Sequence, residues 1–451
     1  MRIRRRRKAF LAVVLVVLAV RLVTELANRI VVGHRGQPIS LVMTAVNDAG
    51  SASNNDPEQL DVNLTTSVDV RVDYPAYVPV LPRFVSVDDR RTFISDDNNR
   101  VYLAVPPSTH LTGRIRTVWN GVIRPGHECS WRTSDEEFSS RAHSERSTTY
   151  VNKTLCPLLV PDGQTFQHFV DGVLPKLGQL LTEAPQTAAA VDLFVVYRPR
   201  DAIIYDLLKC VGITSEQLLL VSTGSRQVLE ARRVVDTCVT PSVHPRLARR
   251  ASQLLRACQQ TNTTSRAPCC NDSESQRTYH PDDQHRGLGG GTRYTPHHVC
   301  LTNSSALIVL LTRRWSRNGG RRLLNENAIL EYLVGRFGRP RVALFGNRRV
   351  DLSTAAQLFS RAVAVVGVHG GAFYNIVLAP RGCVVVELMP LVVRHGTPVL
   401  LPPRRLAHTI VWRMADALGH TYWRLYDLTS SPRSDVTLSI DKLRSSLTGI
   451  T

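Results

Sequence analysis

Lysine is nearly missing from this chain: five of its 56 basic residues are Lys and the rest are Arg, against 37 Asp and Glu, for a net charge of +19 over 451 residues. A polyanion partner is the first thing such a balance suggests. No nucleic-acid motif accompanies the charge, and six of the basic residues (Arg2, Arg4, Arg5, Arg6, Arg7 and Lys8) crowd the first eight positions. A genome-wide codon bias would produce such an Arg excess without any ligand. Aromatics are scarce at 6%, charged residues reach only 21%, and apolar residues make up 43%. That balance excludes wholesale disorder and fibrous architectures. No internal repeat occurs. The longest unbroken apolar run, Ala9 to Val20, is twelve residues, short of the roughly 20 that a spanning helix needs. What the chain does have is length enough for a large core and two or three domains.

A basic cluster ahead of an apolar run keeps that flank in the cytosol and sends the downstream chain into the lumen. Arg21 interrupts the run, and Leu22 and Val23 continue it. Two readings compete. A type II signal-anchor over 9–23 follows a cytosolic tail at 1–8, with Arg21 snorkelling to the interface. A cleaved signal ends near Val17-Leu18-Ala19. Both put the body of the chain in the secretory pathway. Five N-glycosylation sequons agree with this, at Asn63, Asn152, Asn262, Asn271 and Asn303. The nine cysteines are an odd number. In an oxidising compartment most should pair, and Cys383, inside an apolar run, is the candidate for a buried free thiol. The ending Leu447-Thr448-Gly449-Ile450-Thr451 is not an ER-retrieval tetrapeptide. The expected location is the Golgi membrane, with the endoplasmic reticulum as the alternative.

Residues 24–60 read as a polar stem. Residues 61–258 and 301–451 form two candidate lobes, separated by a linker at 259–300 that is almost free of apolar residues. Short β-like runs (Val68–Val72, Tyr77–Leu81, Phe84–Val87, Val101–Val105) open the first lobe. From Phe166 onward strands alternate with helices, the pattern of a parallel sheet covered on both faces. The second lobe repeats it. Strands are expected at Ala306–Leu311, Arg341–Phe345, Val363–Val368 and Val384–Leu388. Helices are expected at Leu324–Phe337, Ser353–Ala362, Ala372–Leu378, Ala407–Leu418 and Asp435–Leu447. Two α/β lobes facing a cleft place a ligand at the carboxyl ends of their strands.

Several constellations could carry chemistry. An apolar strand runs into Gly367-Val368-His369-Gly370-Gly371-Ala372-Phe373-Tyr374-Asn375, a glycine-rich turn opening a helix. Exposed N–H groups there suit phosphate, and glycine lets the backbone approach it. The same letters look like the oxyanion loop of an esterase. That requires a later Gly-x-Ser-x-Gly elbow, and none of Gly382, Gly396, Gly419 and Gly449 frames one. Glu387 sits near a strand end, where a carboxylate can take ribose hydroxyls or a structural ion pair. Arg313 and Arg314 follow a strand, with Arg317, Arg321 and Arg322 close behind, and guanidinium forks suit a diphosphate. His168 and Asp171 share a helix face at i, i+3, as a base pair for a hydroxyl or as structural polar groups. His280, His285, His297, His298 and Cys300 lack tight zinc spacing.

In order along about 300 residues, the chain resembles glycosyltransferase family 61. The resemblance rests on Phe166-Gln167-His168-Phe169, Leu174-Pro175-Lys176-Leu177, His244-Pro245, Arg313-Arg314, Asn325-Glu326, Gly367 to Asn375, Pro380-Arg381-Gly382, Glu387-Leu388, Arg394-His395-Gly396 and Leu418-Gly419-His420-Thr421-Tyr422. It implies a GT-B fold of two Rossmann-like lobes and an inverting transfer of a sugar, GlcNAc or xylose, from a UDP-sugar to a glycan or glycoprotein. On this reading Arg313, Arg314, His369, Gly370, Gly371, Ala372, Phe373, Asn375 and Glu387 bind the donor. His168 or Asp171 is the base. No metal and no cofactor beyond the UDP-sugar is expected. The family's usual loop is close to His-Gly-Ala-Gly-Leu-Thr-Asn, so Phe373 and Tyr374 add bulk expected near the donor sugar. That departure keeps a second reading open, a non-catalytic luminal glycan-binding protein on the same scaffold.

Overall fold

The computed structural model of the chain describes residues 41–45, 66–95, 111–123, 148–225, 227–237, 239–241, 243–263, 306–314, 321–346, 350–394, 397–399, 407–429 and 434–450. The expected anchor, most of the stem, the linker beyond 263, the candidate zinc residues and the sequons at Asn63, Asn271 and Asn303 lie outside the described residues. No helix among the described residues is long and apolar enough to cross a membrane.

Seven strands form the first sheet: β1 (Leu41–Ala45), β2 (Thr66–Tyr74), β3 (Leu111–Ile123), β4 (Thr148–Pro157), β5 (Leu193–Tyr197), β6 (Leu218–Val221) and β7 (Val228–Asp236). Their spatial order is β1-β2-β3-β7-β4-β5-β6. β7, β4, β5 and β6 are parallel, and β1 to β3 extend the sheet antiparallel from β7. Burial follows that division. In β2, Val72 and Tyr74 are buried while Arg71 and Asp73 are exposed, the alternation of a strand with one solvated face.

The second sheet holds β8 (Leu307–Thr312), β9 (Val342–Gly346), β10 (Ala362–Val368), β11 (Val384–Arg394), β12 (Thr397–Val399) and β13 (Thr421–Thr429). β9-β8-β10-β11-β13 are parallel neighbours, and β12 folds back antiparallel on the far end of β11. Every residue of β8 is buried, and β10 is buried along nearly its whole length. Unbroken Val/Ile/Leu runs are what a strand covered on both faces requires. β8 has β9 on one side and β10 on the other, so the chain reverses its direction of travel across the sheet between β8 and β10. Such a switch point leaves a crevice beyond the carboxyl ends of the two strands.

The helices are α1 (Val87–Ser95), α2 (Leu174–Glu183), α3 (Pro185–Ala189), α4 (Ile203–Cys210), α5 (Pro245–Thr263), α6 (Glu326–Phe337), α7 (Leu352–Phe359), α8 (Ala407–Leu418) and α9 (Ile440–Ser446). Ahead of α2 stand one α-turn, Phe166–His168, and a π-turn, Phe169–Val173. α5 packs against α2 from the first half and against α8 from the second. One apolar cluster runs continuously from Phe169 and Leu177 to Phe373 and Trp412. A disulfide, Cys210–Cys258, ties α4 to α5. Cys383 and Cys156 are buried free thiols, the first as expected.

Four details differ from expectation. The segment after the glycine-rich turn is a 3-10 helix, Gly371–Leu378. The last helix is short, because Ser439 caps it at Ile440 while Asp435 instead holds Arg322 at 2.8 Å. Val87 begins a helix rather than ending a strand, with the Ser86 hydroxyl accepting from the Asp89 N–H at 3.0 Å. Finally, residues 75–95 do not stay with the first sheet, to which the expected division at 61–258 assigned them. They cross to the edge strand β13. Arg83 N–H donates to the Tyr422 carbonyl at 2.8 Å, and Arg424 N–H donates to the Arg83 carbonyl at 3.1 Å. Trp412 Nε1 donates to the Val80 carbonyl at 2.7 Å. Phe93 is fully buried between Phe84 and Trp412, with ring centroids 5.3 and 5.0 Å away. Lys442 reaches Asp89 at 3.2 Å. An open sheet edge carries unpaired N–H and C=O groups, and this strap satisfies part of them.

Candidate functional site

The site begins where β8 and β10 end. Gly367, the penultimate residue of β10, lies opposite Leu311 of β8. A Cβ at Gly367 would fall 2.6 Å from the Leu311 Cβ, so glycine is what lets these two strands pack at this level. Beyond Thr312 the chain turns out to Arg313, and beyond Val368 to His369 and Gly370. Arg313 Nη1 donates to the His369 carbonyl at 3.1 Å, and Arg321 Nη1 reaches the same oxygen at 3.3 Å. Burial, and then the charge of Arg321, push the Arg313 guanidinium down to about 10. Its Nε is buried without a hydrogen-bond partner. Two guanidinium groups converging on one neutral oxygen make a concentration of positive charge that an anion would relieve. Arg321 was noted in the sequence only as a neighbour. It is held here by a left-handed backbone (φ 57°) that nothing in its sequence announces.

Arg314 turns the other way. Its Nε pairs with the buried Glu326 at 2.6 Å, and its Nη2 donates to Asn327. The turn after β8 sends the two side chains apart, so only one of the two expected arginines meets the crevice. Glycine matters at the turn itself. A Cβ on Gly370 would collide with Arg313 Nη1, and one on Gly371 would sit 3.0 Å from Gln167 Oε1. The glycine-rich turn is therefore pressed between Arg313 and the Phe166–His168 turn. The Phe373 N–H is committed to the Gly370 carbonyl at 3.1 Å. Phe373 and Tyr374 are buried in the core, so their bulk does not lie where a donor sugar was expected to meet it. Asn375 is buried as well, donating to the Ala372 carbonyl at 2.9 Å.

Glu387 requires a correction. The expected strand stopped at Leu388, which put the acid at its end. β11 runs on to Arg394, so Glu387 is mid-strand, in register with Gly367 on one side and Arg424 on the other. It is fully buried. One oxygen takes His369 Nδ1 at 2.7 Å, and the other takes the Tyr422 hydroxyl and Arg424 Nη2, the latter at 3.4 Å. Both oxygens are engaged, so Glu387 holds His369 in place and is not presented to a ribose. Burial pushes its carboxyl up, but His369, Arg424 and Tyr422 outweigh that and hold it below the ordinary carboxylate range. Neither Tyr422 nor Arg424 was picked out as a partner of this acid. The register opposite Glu387 carries the only signal that could have found Arg424, and it requires knowing that β11 and β13 pair.

In the first half, His168 closes the turn before the π-turn that carries Asp171. His168 Nδ1 is 3.6 Å from Asp171 Oδ1; the imidazole is one-third exposed, at 33%, and the carboxylate is buried. Tyr374 donates its hydroxyl to Asp171 Oδ2 at 2.9 Å. The His168 turn and the glycine-rich turn thus abut. Asn152 is exposed on β4, and Asn262 lies in the last turn of α5. Among the described residues no cluster of His, Cys, Asp or Glu could hold a metal ion.

A doubly wound sheet thus brings paired guanidinium groups at its switch point beside a glycine-rich turn and a His–carboxylate pair, in the crevice where folds of this kind bind their ligands. The sequence model of Glycosyltransferase 61 matches residues 166–386, a span that carries His168, Asp171, Arg313 and the whole glycine-rich turn. The chain belongs to glycosyltransferase family 61 and is by class a glycosyltransferase. No curated protein matches it.

Proposed function

We propose that the chain is an inverting transferase that moves a sugar, GlcNAc or xylose, from a UDP-sugar to a hydroxyl of a glycan or glycoprotein in the secretory pathway. The observation that carries this reading is the Arg313–Arg321 pair converging at the β8/β10 switch point. In this account the two halves act as the lobes of a GT-B enzyme. The second half grips the nucleotide and the first meets the acceptor. Arg313 and Arg321 stabilise the negative charge that grows on the diphosphate as its bond to the anomeric carbon breaks. That supplies the charge a divalent metal would otherwise bring, so turnover is expected to survive EDTA. The acceptor oxygen attacks the anomeric carbon from the opposite face, and its proton passes to His168, oriented by Asp171. His369, fixed by Glu387, lines the donor side.

The Cys210–Cys258 disulfide supports an oxidising compartment. A Golgi type II arrangement follows from the N-terminal sequence and is part of the proposal. The non-catalytic reading rested on Phe373 and Tyr374 crowding the donor, and both are in the core. The test is calorimetry with UDP. Arg313→Ala is expected to lose most of the affinity, and near-normal UDP binding by that variant would remove the assignment. A thermal-shift screen with UDP, UDP-GlcNAc, UDP-xylose and GDP-sugars then identifies the donor, since a ligand that binds the folded state raises its melting temperature.

A further inference from the structure

The glycine-rich turn does more than border the diphosphate. It leads into the 3-10 helix Gly371–Leu378, whose three-residue period sets Gly371, Tyr374 and Val377 on one face. That face meets the π-turn of the first half. Gly371 approaches Gln167, Tyr374 reaches Asp171, and Val377 shares with Val170, Asp171, Leu174 and Met414 a small cavity of about 30 Å³. The two carboxylate oxygens of Asp171 are divided between two partners. Oδ2 accepts the Tyr374 hydroxyl at 2.9 Å, while Oδ1 faces His168 Nδ1 at 3.6 Å and has no hydrogen-bond partner of its own. Tyr374 and Asp171 are both almost fully buried and lie 203 positions apart in the sequence.

We propose that Tyr374 is a positioning residue for the His168–Asp171 pair, and that through it the donor turn of the second half sets the orientation of the base in the first. The inference rests on the reading of His168 and Asp171 as the acceptor's base. Burial and the neighbouring Asp171 charge hold the phenol's proton on, so it donates to Asp171, and the Gln167 side chain hydrogen-bonds the same hydroxyl. Its hydrogen bond pins the carboxylate rotamer so that Oδ1 is turned to the imidazole. A buried carboxylate without that anchor has a second rotamer available, and a base displaced by about 1 Å costs on the order of 10²-fold in rate. Because Tyr374 lies four residues beyond Gly370, a shift of the turn is passed to Asp171 along one rigid turn of helix. The base is then fully assembled only with the donor turn in place.

Tyr374→Phe keeps the ring in its pocket and removes the hydroxyl. Full-length protein with UDP-sugar and acceptor is expected to show kcat lowered about tenfold, the equivalent of one hydrogen bond. The donor KM and the UDP dissociation constant should stay near wild type, and the thermal midpoint should fall by no more than the loss of one buried hydrogen bond to Asp171 accounts for. On an Asp171→Asn background the same change should add nothing, because the two residues act as one unit. A wild-type kcat for Tyr374→Phe overturns the proposal. So does an equal additional loss in the Asp171→Asn background, or a fall in UDP affinity that marks the change as structural. His168→Ala is the separate control. If it turns over at the wild-type rate, the base reading itself has failed and this inference goes with it. If His168→Ala is dead and Tyr374→Phe is normal, only the coupling is wrong.

Discussion

Among the described residues stand two histidine–carboxylate pairs, and they are built in opposite ways. His369 and Glu387 are 2.7 Å apart, with the carboxylate fully buried and braced by Tyr422 and Arg424. His168 and Asp171 are 3.6 Å apart, with the imidazole one-third open to solvent. In the first pair Glu387 sits mid-strand between β10 and β13, and His369 stands one residue past β10 with its N–H donating to the Leu388 carbonyl at 3.0 Å. The second sits on a helix at the point where its pitch widens into a π-turn. Such π-turns cluster at functional sites. A pair locked in a low-dielectric sheet keeps one orientation. A pair at a widened helix turn leaves its imidazole partly open to solvent. On the proposed reading the difference gives them separate work, His369 as a fixture of the donor side and His168 as the base.

Four measurements put that contrast at risk. The largest expected effect is on catalysis: His168→Ala should lower kcat by ~10²–10⁴-fold while leaving the unfolding midpoint in place. A variant as active as wild type would dissolve the distinction. Next comes stability. Glu387→Ala leaves Arg424 buried without its counter-charge and should destabilise the fold by about 3–5 kcal/mol in denaturant unfolding, whereas Asp171→Asn should cost far less. Third, a methyl at Gly370 must push the Arg313 guanidinium aside. Gly370→Ala is expected to weaken UDP binding by about 10–100-fold, the loss of one charge-assisted hydrogen bond, in a protein that still unfolds cooperatively. The smallest effect belongs to Arg314→Ala. Its partner Glu326 is buried but the arginine itself is partly exposed, so stability should fall by about 1 kcal/mol with UDP affinity unchanged. Arg313→Ala and Arg314→Ala giving equal losses in UDP binding would contradict the geometry.

Much of the second sheet is legible in its letters. Runs such as Leu307-Ile308-Val309-Leu310-Leu311 and Val363-Ala364-Val365-Val366 admit few readings other than buried parallel strands, and Arg313 and His369 follow from standing at their ends. Direction is harder to read. Arg313 and Arg314 are indistinguishable in the sequence, and the turn after β8 sends one to the crevice and the other to Glu326. Strand length misplaced Glu387. Pro390 suggests a strand stop, yet β11 continues through it to Arg394, with β13 alongside from Val384 to Val392. The contacts that matter most are the longest in sequence: Tyr374 with Asp171, and the strap with β13. Local periodicity carries no information about them. Phe373 and Tyr374 looked like additions to a ligand pocket because loops beside glycine usually face outward, whereas a 3-10 turn rolls these two rings into the core.

The strap has a consequence in time as well as in space. Residues 75–95 are made long before the groups that hold them (Trp412, Tyr422, Arg424 and Lys442); Val80 and Trp412 are 332 positions apart. At ~5–20 residues per second, more than a quarter of a minute passes between the two. Through that interval Phe93 has no Trp412 to pack on and the first half cannot be completed. A chain released before about residue 442 would carry an unsatisfied apolar segment at residues 75–95. The strap therefore closes only after Trp412, Tyr422, Arg424 and Lys442 have all been made.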